Sequence, residues 1–299
     1  MQEEQLKTPE TPGELSGRFY RLFPAMSVRN FRLFIMGQSV SLVGTWMQGP
    51  VLSWVAYELT KSKSVLGYVS FLELIPLTLL VIPAGVVADK YSRRAVVTIT
   101  QVVLMLVALA LGVLAALDAL TIHKIYVLVC ISGIAKAFDV PARQAFIGEV
   151  AGRKYLGNAV ALNSAMFNAA RIVGPSVGGV VFAIFRATAC FFINAASFVA
   201  IIVAMISMKD LPQRATRKAG RNLLDFADGI KYAMGHGDIR VILLLTAVFS
   251  LYGTYYTTLL PAFARDIYGK GAQEYGLLVS SLGVGALLSA LVLATRGGK

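Results

Sequence analysis

The stretch Leu72-Glu73-Leu74-Ile75-Pro76-Leu77-Thr78-Leu79-Leu80-Val81-Ile82-Pro83-Ala84-Gly85-Val86-Val87-Ala88-Asp89-Lys90-Tyr91-Ser92-Arg93-Arg94 decides what kind of protein this is. No ionisable side chain stands between Glu73 and Asp89, and then Asp89, Lys90, Arg93 and Arg94 follow almost at once. A helix on the surface of a water-soluble protein keeps a polar face, and this stretch has none. A half-buried strand would alternate apolar with polar, and it does not alternate. Extended upstream, the apolar segment runs over 64–88. A helix needs roughly 20 such residues to cross a hydrocarbon core of about 30 Å. The stretch therefore reads as a membrane-spanning helix that ends in a cluster of charge.

The rest of the chain agrees with that reading. Of 299 residues, 57% are hydrophobic and 15% charged, with a mean hydropathy of +0.68. Soluble domains carry about 45–50% apolar and about 25% charged residues. A water-soluble core is excluded, and so is charge-rich disorder. Two cysteines in apolar runs, Cys130 and Cys190, exclude a disulfide scaffold and read as packing residues. Eight segments have the length and polarity of a span: 31–56, 64–88, 95–117, 123–145, 158–185, 187–207, 239–264 and 273–295. None has barrel-strand alternation, so the fold is expected to be all-α and integral to a membrane. Residues 1–28 are polar and contain Pro9, Pro12 and Pro24. The first apolar run is a full span, so no separate signal peptide is expected.

The net charge of +12 is explained by where the cations fall. One side of the membrane collects Lys7, Arg18, Arg21, Arg29 and Arg32 of the tail and Lys90, Arg93 and Arg94 after the second span. It also collects Arg143, Arg153 and Lys154, then Lys209, Arg214, Arg217, Lys218, Arg221, Lys231 and Arg240, and finally Arg296 and Lys299. The other side has Lys61, Lys63, Lys124, Arg186, Arg265 and Lys270, while Lys136 and Arg171 lie inside spans. Twenty against six is a strong positive-inside bias, which puts the N-terminus in the cytoplasm and the chain in the cell (inner) membrane as a multi-pass protein. Cations spread over every cytoplasmic loop are not a nucleic-acid footprint, so no nucleic-acid partner is expected. The implied organisation is a tail (1–30), a six-helix bundle (31–207), a cytoplasmic loop (208–238) and two helices that begin a second bundle (239–299). Within that loop Leu223, Phe226, Ala227, Ile230, Ala233 and Met234 keep helical spacing. The helix they predict either lies in the membrane interface or packs on the inner face of the bundle.

The chain also echoes itself at a shift of about 209 residues, a period that fits parallel six-helix repeats. Leu66-Gly67-Tyr68 falls on Tyr275-Gly276-Leu277, and Gly44 falls on Gly253. Arg32 lands one residue from Arg240. On this reading the last two spans open a second copy of the first two.

Two motifs carry a resemblance. Gly85-Val-Val-Ala-Asp89-Lys90-Tyr91-Ser92-Arg93-Arg94 resembles the loop 2–3 signature of the major facilitator superfamily, with Ser92 where that signature has Gly. Arg171-Ile-Val-Gly174-Pro175-Ser176-Val177-Gly178-Gly179 resembles the span-5 motif of its antiporters. Phe31-Arg32-Leu33-Phe34, Gly37-Gln38, Gly44-Thr45-Trp46 and Pro141-Ala142-Arg143 are similar to the branch holding an enterobactin exporter and macrolide or drug efflux proteins. The resemblance implies a twelve-span bundle of two halves. Residues 31–295 would supply the complete first half and two helices of the second. It also implies a cytoplasmic gate at Gly85, Asp89, Lys90, Arg93 and Arg94, and a tight seal at Arg171, Gly174, Pro175, Gly178 and Gly179.

The residues have their own chemistry beside that. A carboxylate at Asp89 can pair with the guanidiniums that follow, or face the positive end of a helix. The same charges also serve as plain orientation signals. Small residues at 174, 178 and 179 allow close helix packing with or without gating. Glu73, Lys136, Asp139 and Arg171 lie deep in spans, where a charge costs on the order of 2.5–3.5 kcal/mol unless it meets water or a partner. Lys136, Asp139 and Arg143 share one helix face, expected to be wet and turned inward, with Asp139 pairing to both cations. Glu73 and Arg171 are candidates to pair with each other. Glu73 is the candidate proton or substrate carboxylate, with a structural pair or a cavity-lining polar group as the alternative. Trp46, Trp54, Tyr57, Tyr252, Tyr255 and Tyr256 in spans 1 and 7 are candidate substrate-lining rings or interfacial belt residues. His123 and His236 have no second ligand near them in sequence, so neither a metal site nor a cofactor is expected. No nucleotide-binding loop is present in the sequence. The function expected is gradient-driven, proton-coupled export of a small drug-like or siderophore-like molecule, not enzyme chemistry. The alternative is a truncated, non-transporting fragment of such a transporter.

Overall fold

The structure, a computed structural model, describes residues 23–209, 232–252, 256–281 and 285. Every regular element among them is helical. A short 3-10 turn, Pro24–Ser27, leads into α1, Arg29–Thr60. The next two helices are α2, Lys63–Lys90, and α3, Arg93–Ala116. The continuous helical run Ile122–Ser207 is broken at Gly152 (φ 73, ψ 161) and Arg186 (φ 65, ψ 177). It therefore holds three helices: α4 (122–151), α5 (153–185) and α6 (187–207). Beyond the loop come α7, Gly237–Tyr252, and α8, Tyr256–Ala262, which widens into a π turn at Phe263–Ile267. The last helix, α9, starts at 272 and is described to 281. By length and composition α2, α3 and the Ile122–Ser207 run can cross a bilayer.

Local chemistry ends these helices where the chain must turn. Lys61 closes α1 in a left-handed conformation (φ 52, ψ 22). Ser92 caps α3, its side-chain oxygen accepting from the Ala95 N–H at 3.4 Å. Ser92 has φ −59, a value open to any L-residue, so serine serves where the resembling signature has glycine. Gly152, by contrast, holds a conformation that costs other residues dearly, and it divides α4 from α5.

α4 extends to 151, past the expected end near 145, because its last turns stay buried. Phe146, Ile147, Val150 and Ala151 join one core cluster with Phe31, Phe34, Val97, Phe198 and Met205. The Phe34 and Phe146 rings meet edge to face at 5.7 Å. A second cluster fills the other end of the bundle, around Met47, Trp54, Leu111, Ile125, Phe182, Phe191 and Tyr275. Between helices, glycines permit contact that a methyl group would block. A Cβ at Gly37 would stand 2.9 Å from Ala200 O and Ala204 Cβ of α6. One at Gly178 would stand 2.8 Å from Met47 O of α1. Small residues matter here because, in lipid, helices associate by close packing rather than by hiding from water.

The helix expected within 208–238 falls mostly outside the described residues, with Leu223, Phe226, Ala227 and Ile230 among those not described. Met234 is 57% exposed. In α7, Val241 through Ser250 are exposed throughout.

Candidate functional site

At the end of the bundle where α2 passes into α3, Arg93 is the hub. It lies 3.9 Å from Asp89 one turn back and 3.4 Å from Glu149 of α4, and it donates to Ala145 O at 3.2 Å. Arg94 turns the other way and donates to Ile206 O of α6 at 3.1 Å. The two adjacent arginines thus tie α3 to α4 and to α6. Lys90 lies over the Tyr91 ring, 5.8 Å from its centroid. A Cβ on Gly85 would meet nothing within 4 Å. Glu149, which carries much of this junction, had only its sign to recommend it in the sequence. Sequence spacing does not reveal the register of α3 against α4.

Deeper in the bundle Asp139 is 5% exposed, and it departs from the wet face expected of it. Its Oδ1 accepts from Thr100 Oγ1 and Gln101 Nε2, both at 2.9 Å, and its Oδ2 accepts from Arg143 Nε at 2.9 Å. Three donors replace water, which is why the carboxylate tolerates burial. Ser41 Oγ reaches the same network through Gln101 Oε1 at 3.4 Å. Asp139 pairs with Arg143 alone, because Lys136 is engaged elsewhere.

That other engagement is with Glu73. Gly133 lets α2 and α4 touch, since a Cβ there would stand 2.4 Å from Glu73 O and 3.2 Å from Pro76 Cγ. One turn further on, Lys136 Nζ donates to Glu73 Oε1 across the two helices. Both side chains remain about a third exposed, 32% and 38%. Glu73 therefore pairs with Lys136 and not with Arg171. Arg171 sits over the Trp46 ring at 5.9 Å, and Trp46 meets Phe167 edge to face at 5.6 Å. A cation above an indole is attracted by the ring's quadrupole. Among the described residues no carboxylate lies within bridging distance of Arg171. Gly174 sets this corner, since a Cβ there would strike Trp46 Cβ at 2.5 Å.

Trp54 is buried, stacked on Tyr275 at 4.8 Å with Phe182 at its edge, so it packs helices rather than lining an open path. Tyr255 lies outside the described residues, as do the side chains of Tyr252 and Tyr256. Among the described residues no group of His, Cys, Asp and Glu could hold a metal ion. Cys190 is buried and Cys130 half-buried, both as free thiols.

The opposite end joins α1, α2 and α5 to the last helices. Tyr57 donates to Asp266 Oδ1 at 2.5 Å, and Lys63 Nζ lies 3.1 Å from Asp266 Oδ2. Arg265 lies 3.6 Å from Glu58, which also pairs with Lys61. The Asp266 carboxyl is held below its ordinary value, first by the Tyr57 hydrogen bond and then by Lys63. Tyr275 donates to Pro50 O at 2.9 Å, and Ser280 donates to Ser176 O at 3.0 Å. Gly179 and Gly276 meet backbone to backbone: a Cβ at 179 would stand 2.1 Å from Gly276 O. Neither Tyr57 nor Asp266 signals its partner in sequence, because no local spacing links them.

Comparison with known proteins matches residues 22–296 to the family described as transmembrane secretion effector. The staphyloferrin A transporter of Staphylococcus aureus (strain NCTC 8325 / PS 47) is 27% identical over 88% of this chain and 66% of its own length. The multidrug efflux pump Tap of Mycolicibacterium fortuitum is 25% identical over 80% of this chain and 60% of its own. The enterobactin exporter EntS of Shigella boydii serotype 4 is 22% identical over 87% of this chain and 62% of its own. The chain thus spans about two thirds of the length of the curated relatives it matches, and those relatives are transporters, not enzymes.

Proposed function

The chain belongs to the transmembrane secretion effector family of the major facilitator superfamily, and on that premise we propose that it is a secondary active exporter. It moves a small drug-like or siderophore-like molecule outward by alternating access, coupled to protons, as a multi-pass protein of the cell (inner) membrane with its N-terminus in the cytoplasm. The names of the three relatives support this class of cargo, and the distribution of cations supports the orientation.

The observation that carries the coupling is the Glu73–Lys136 ion pair, set in the middle of apolar α2 and about a third open to its surroundings. A mid-membrane pair has a reason to exist when one member changes charge. Protonating Glu73 removes its attraction for Lys136 and frees α2 from α4 at that level. A difference of a few kcal/mol between two arrangements is enough to shift a two-state equilibrium. Arg171 above Trp46 is the proposed cargo contact, joined by the aromatic residues of span 7. Gly85, Asp89, Lys90, Arg93 and Arg94 form the proposed cytoplasmic gate, with Gly174, Pro175, Gly178 and Gly179 as the seal. Arg143 and Asp139 hold α4 in place behind them.

The test is efflux of a fluorescent drug from everted vesicles carrying the full 299-residue chain, driven by an imposed pH gradient. Export that needs the gradient is expected, and Glu73→Gln should reduce it at least about tenfold, the loss expected of a needed proton-transfer group. Gradient-driven export left intact by Glu73→Gln removes Glu73 from the coupling step.

A further inference from the structure

We propose that the groove between α2, α3 and α4 binds one acyl chain of an anionic phospholipid, with the headgroup held by Lys90. The groove has a volume of about 430 Å³ and an apolar lining. Val87 and Tyr91 line it from α2, Ile99 and Val103 from α3, and Ile134 and Phe138 from α4. Ala95 and Ala135 leave the room that larger side chains would fill. Of the two liners with a hydroxyl, Tyr91 stands at the groove's end, and Thr100 has its hydroxyl committed to Val97 O and Asp139, each at 2.9 Å, so it offers nothing to a ligand. On α4 the lining residues Ile131, Ile134, Ala135 and Phe138 form an i, i+3, i+4, i+7 stripe. Lys136 and Arg143 project from other faces of the helix, so the groove is turned away from the polar interior. Ile99 and Ile134 are exposed, at 63% and 42%.

Charge picks the headgroup. Tyr91 stands at the end of the groove where α2 stops, and Lys90 Nζ is 5.8 Å from its ring centroid. Arg93 is taken by Asp89 and Glu149, and Arg94 bonds Ile206 O on another side. Among the described cations of this corner Lys90 is left facing outward; its neighbour Asp89 lies 3.9 Å from Arg93, and the first turn of α3 carries no acid. An apolar slot with a cation at its mouth matches an amphiphile with an apolar tail and an anionic head. In the proposed orientation this mouth lies at the cytoplasmic leaflet, where anionic lipids concentrate, and each basic residue near that surface adds about fivefold in affinity. Only the leaflet rests on the proposed orientation.

The experiment places a reporter in the groove by Ile99→Trp in the full chain. The chain is reconstituted in phosphatidylcholine vesicles containing equal small fractions of brominated phosphatidylglycerol or brominated phosphatidylcholine. Quenching beyond that of the unmodified chain reports lipid at the groove. The expected result is about fivefold tighter quenching by the anionic lipid, abolished by Lys90→Gln. Ile99 and Lys90 are both exposed, so neither change enters the packed interior. Equal quenching by both lipids would mean ordinary surrounding lipid and overturns the proposal. Quenching by neither would mean that protein covers the groove, which also overturns it. A preference that survives Lys90→Gln takes the headgroup away from Lys90. The readout needs neither cargo nor gradient, so its failure leaves the export reading standing, and the reverse also holds.

Discussion

The two ends of the bundle are closed by different means. Among the described residues, the bonds at the α2–α3 turn run within the first six helices: Asp89 and Glu149 to Arg93, Arg94 to Ile206 O, and Asp139 to Arg143 below them. At the other end the bonds run between those helices and the last ones: Tyr57 and Lys63 to Asp266, Glu58 to Arg265, Tyr275 to Pro50 O, and Gly179 against Gly276. In α7, Val241 to Ser250 are exposed. One end is therefore a lock inside a unit, and the other is a clasp between units. In an alternating-access reading, the clasp is the set of contacts that must break when the transporter turns over, while the lock sets the rigidity of the body that turns.

The largest effect should come from the lock. Asp139→Ala leaves Arg143 buried without its partner and strips the Gln101 amide of its acceptor, while Thr100 keeps Val97 O. Breaking one side of a buried pair costs about 3–5 kcal/mol, so the purified variant should unfold at a clearly lower temperature in detergent. Asp139→Asn, which keeps one acceptor oxygen, should lose less. Wild-type thermal stability in Asp139→Ala would show that the lock is not what holds the first six helices.

Two glycines sharpen the contrast. Gly179→Leu drives a side chain into the Gly276 backbone, which cannot yield as a flexible side chain could. Overpacking of this kind costs about 1–3 kcal/mol, and it falls entirely on the clasp. Cross-linking of Ser176→Cys to Ser280→Cys, a pair now joined by a 3.0 Å hydrogen bond, should drop several-fold while the six-helix unit melts nearly as before. Gly85→Ala at the opposite end meets only open space. It should stabilise helix α2 by roughly 0.5–1 kcal/mol and yet reduce export, if the proposed gate brings another helix against Gly85 in a second arrangement. Full export by Gly85→Ala would remove the gate's need for a small residue there.

The helices were legible because length and unbroken apolarity are one-dimensional properties. The break at Gly152 was less so: buried Phe146 and Val150 carry α4 further than hydropathy alone indicates. At the site, the sequence singled out Glu73, Lys136 and Asp139 because a charge inside a span stands out against its neighbours. It could not choose among partners, since pairing depends on which helices cross at Gly133 and Gly174. For that reason sequence depth offers Arg171 to Glu73, and the structure gives Lys136. Trp54 shows the same limit, because an aromatic side chain gives no sign in sequence of whether its neighbour is a cargo, lipid or Tyr275. The clasp was invisible, because Tyr57 and Asp266 meet only through the packing of α8 on α1 and α2.

The smallest effect tests whether the clasp senses acidity. Asp266→Asn keeps an acceptor for Tyr57 and loses the charge that faces Lys63. Exposed pairs of this kind are weak, and salt weakens them further. In a Trp46→Phe background Trp54, stacked on Tyr275 across the clasp, is the remaining indole of the two in the chain. Its quenching by acrylamide should rise modestly in Asp266→Asn. A carboxyl held lower in the closed clasp than in the open one favours closure at every pH above the ordinary aspartate range. That preference fades only as the pH falls through the lowered value. Quenching should therefore be flat between about pH 8 and about pH 5, with a rise confined to below about pH 4. A midpoint near neutrality that vanished in Asp266→Asn would contradict this assignment, because a carboxyl stabilised by both Tyr57 and Lys63 has no proton to exchange there.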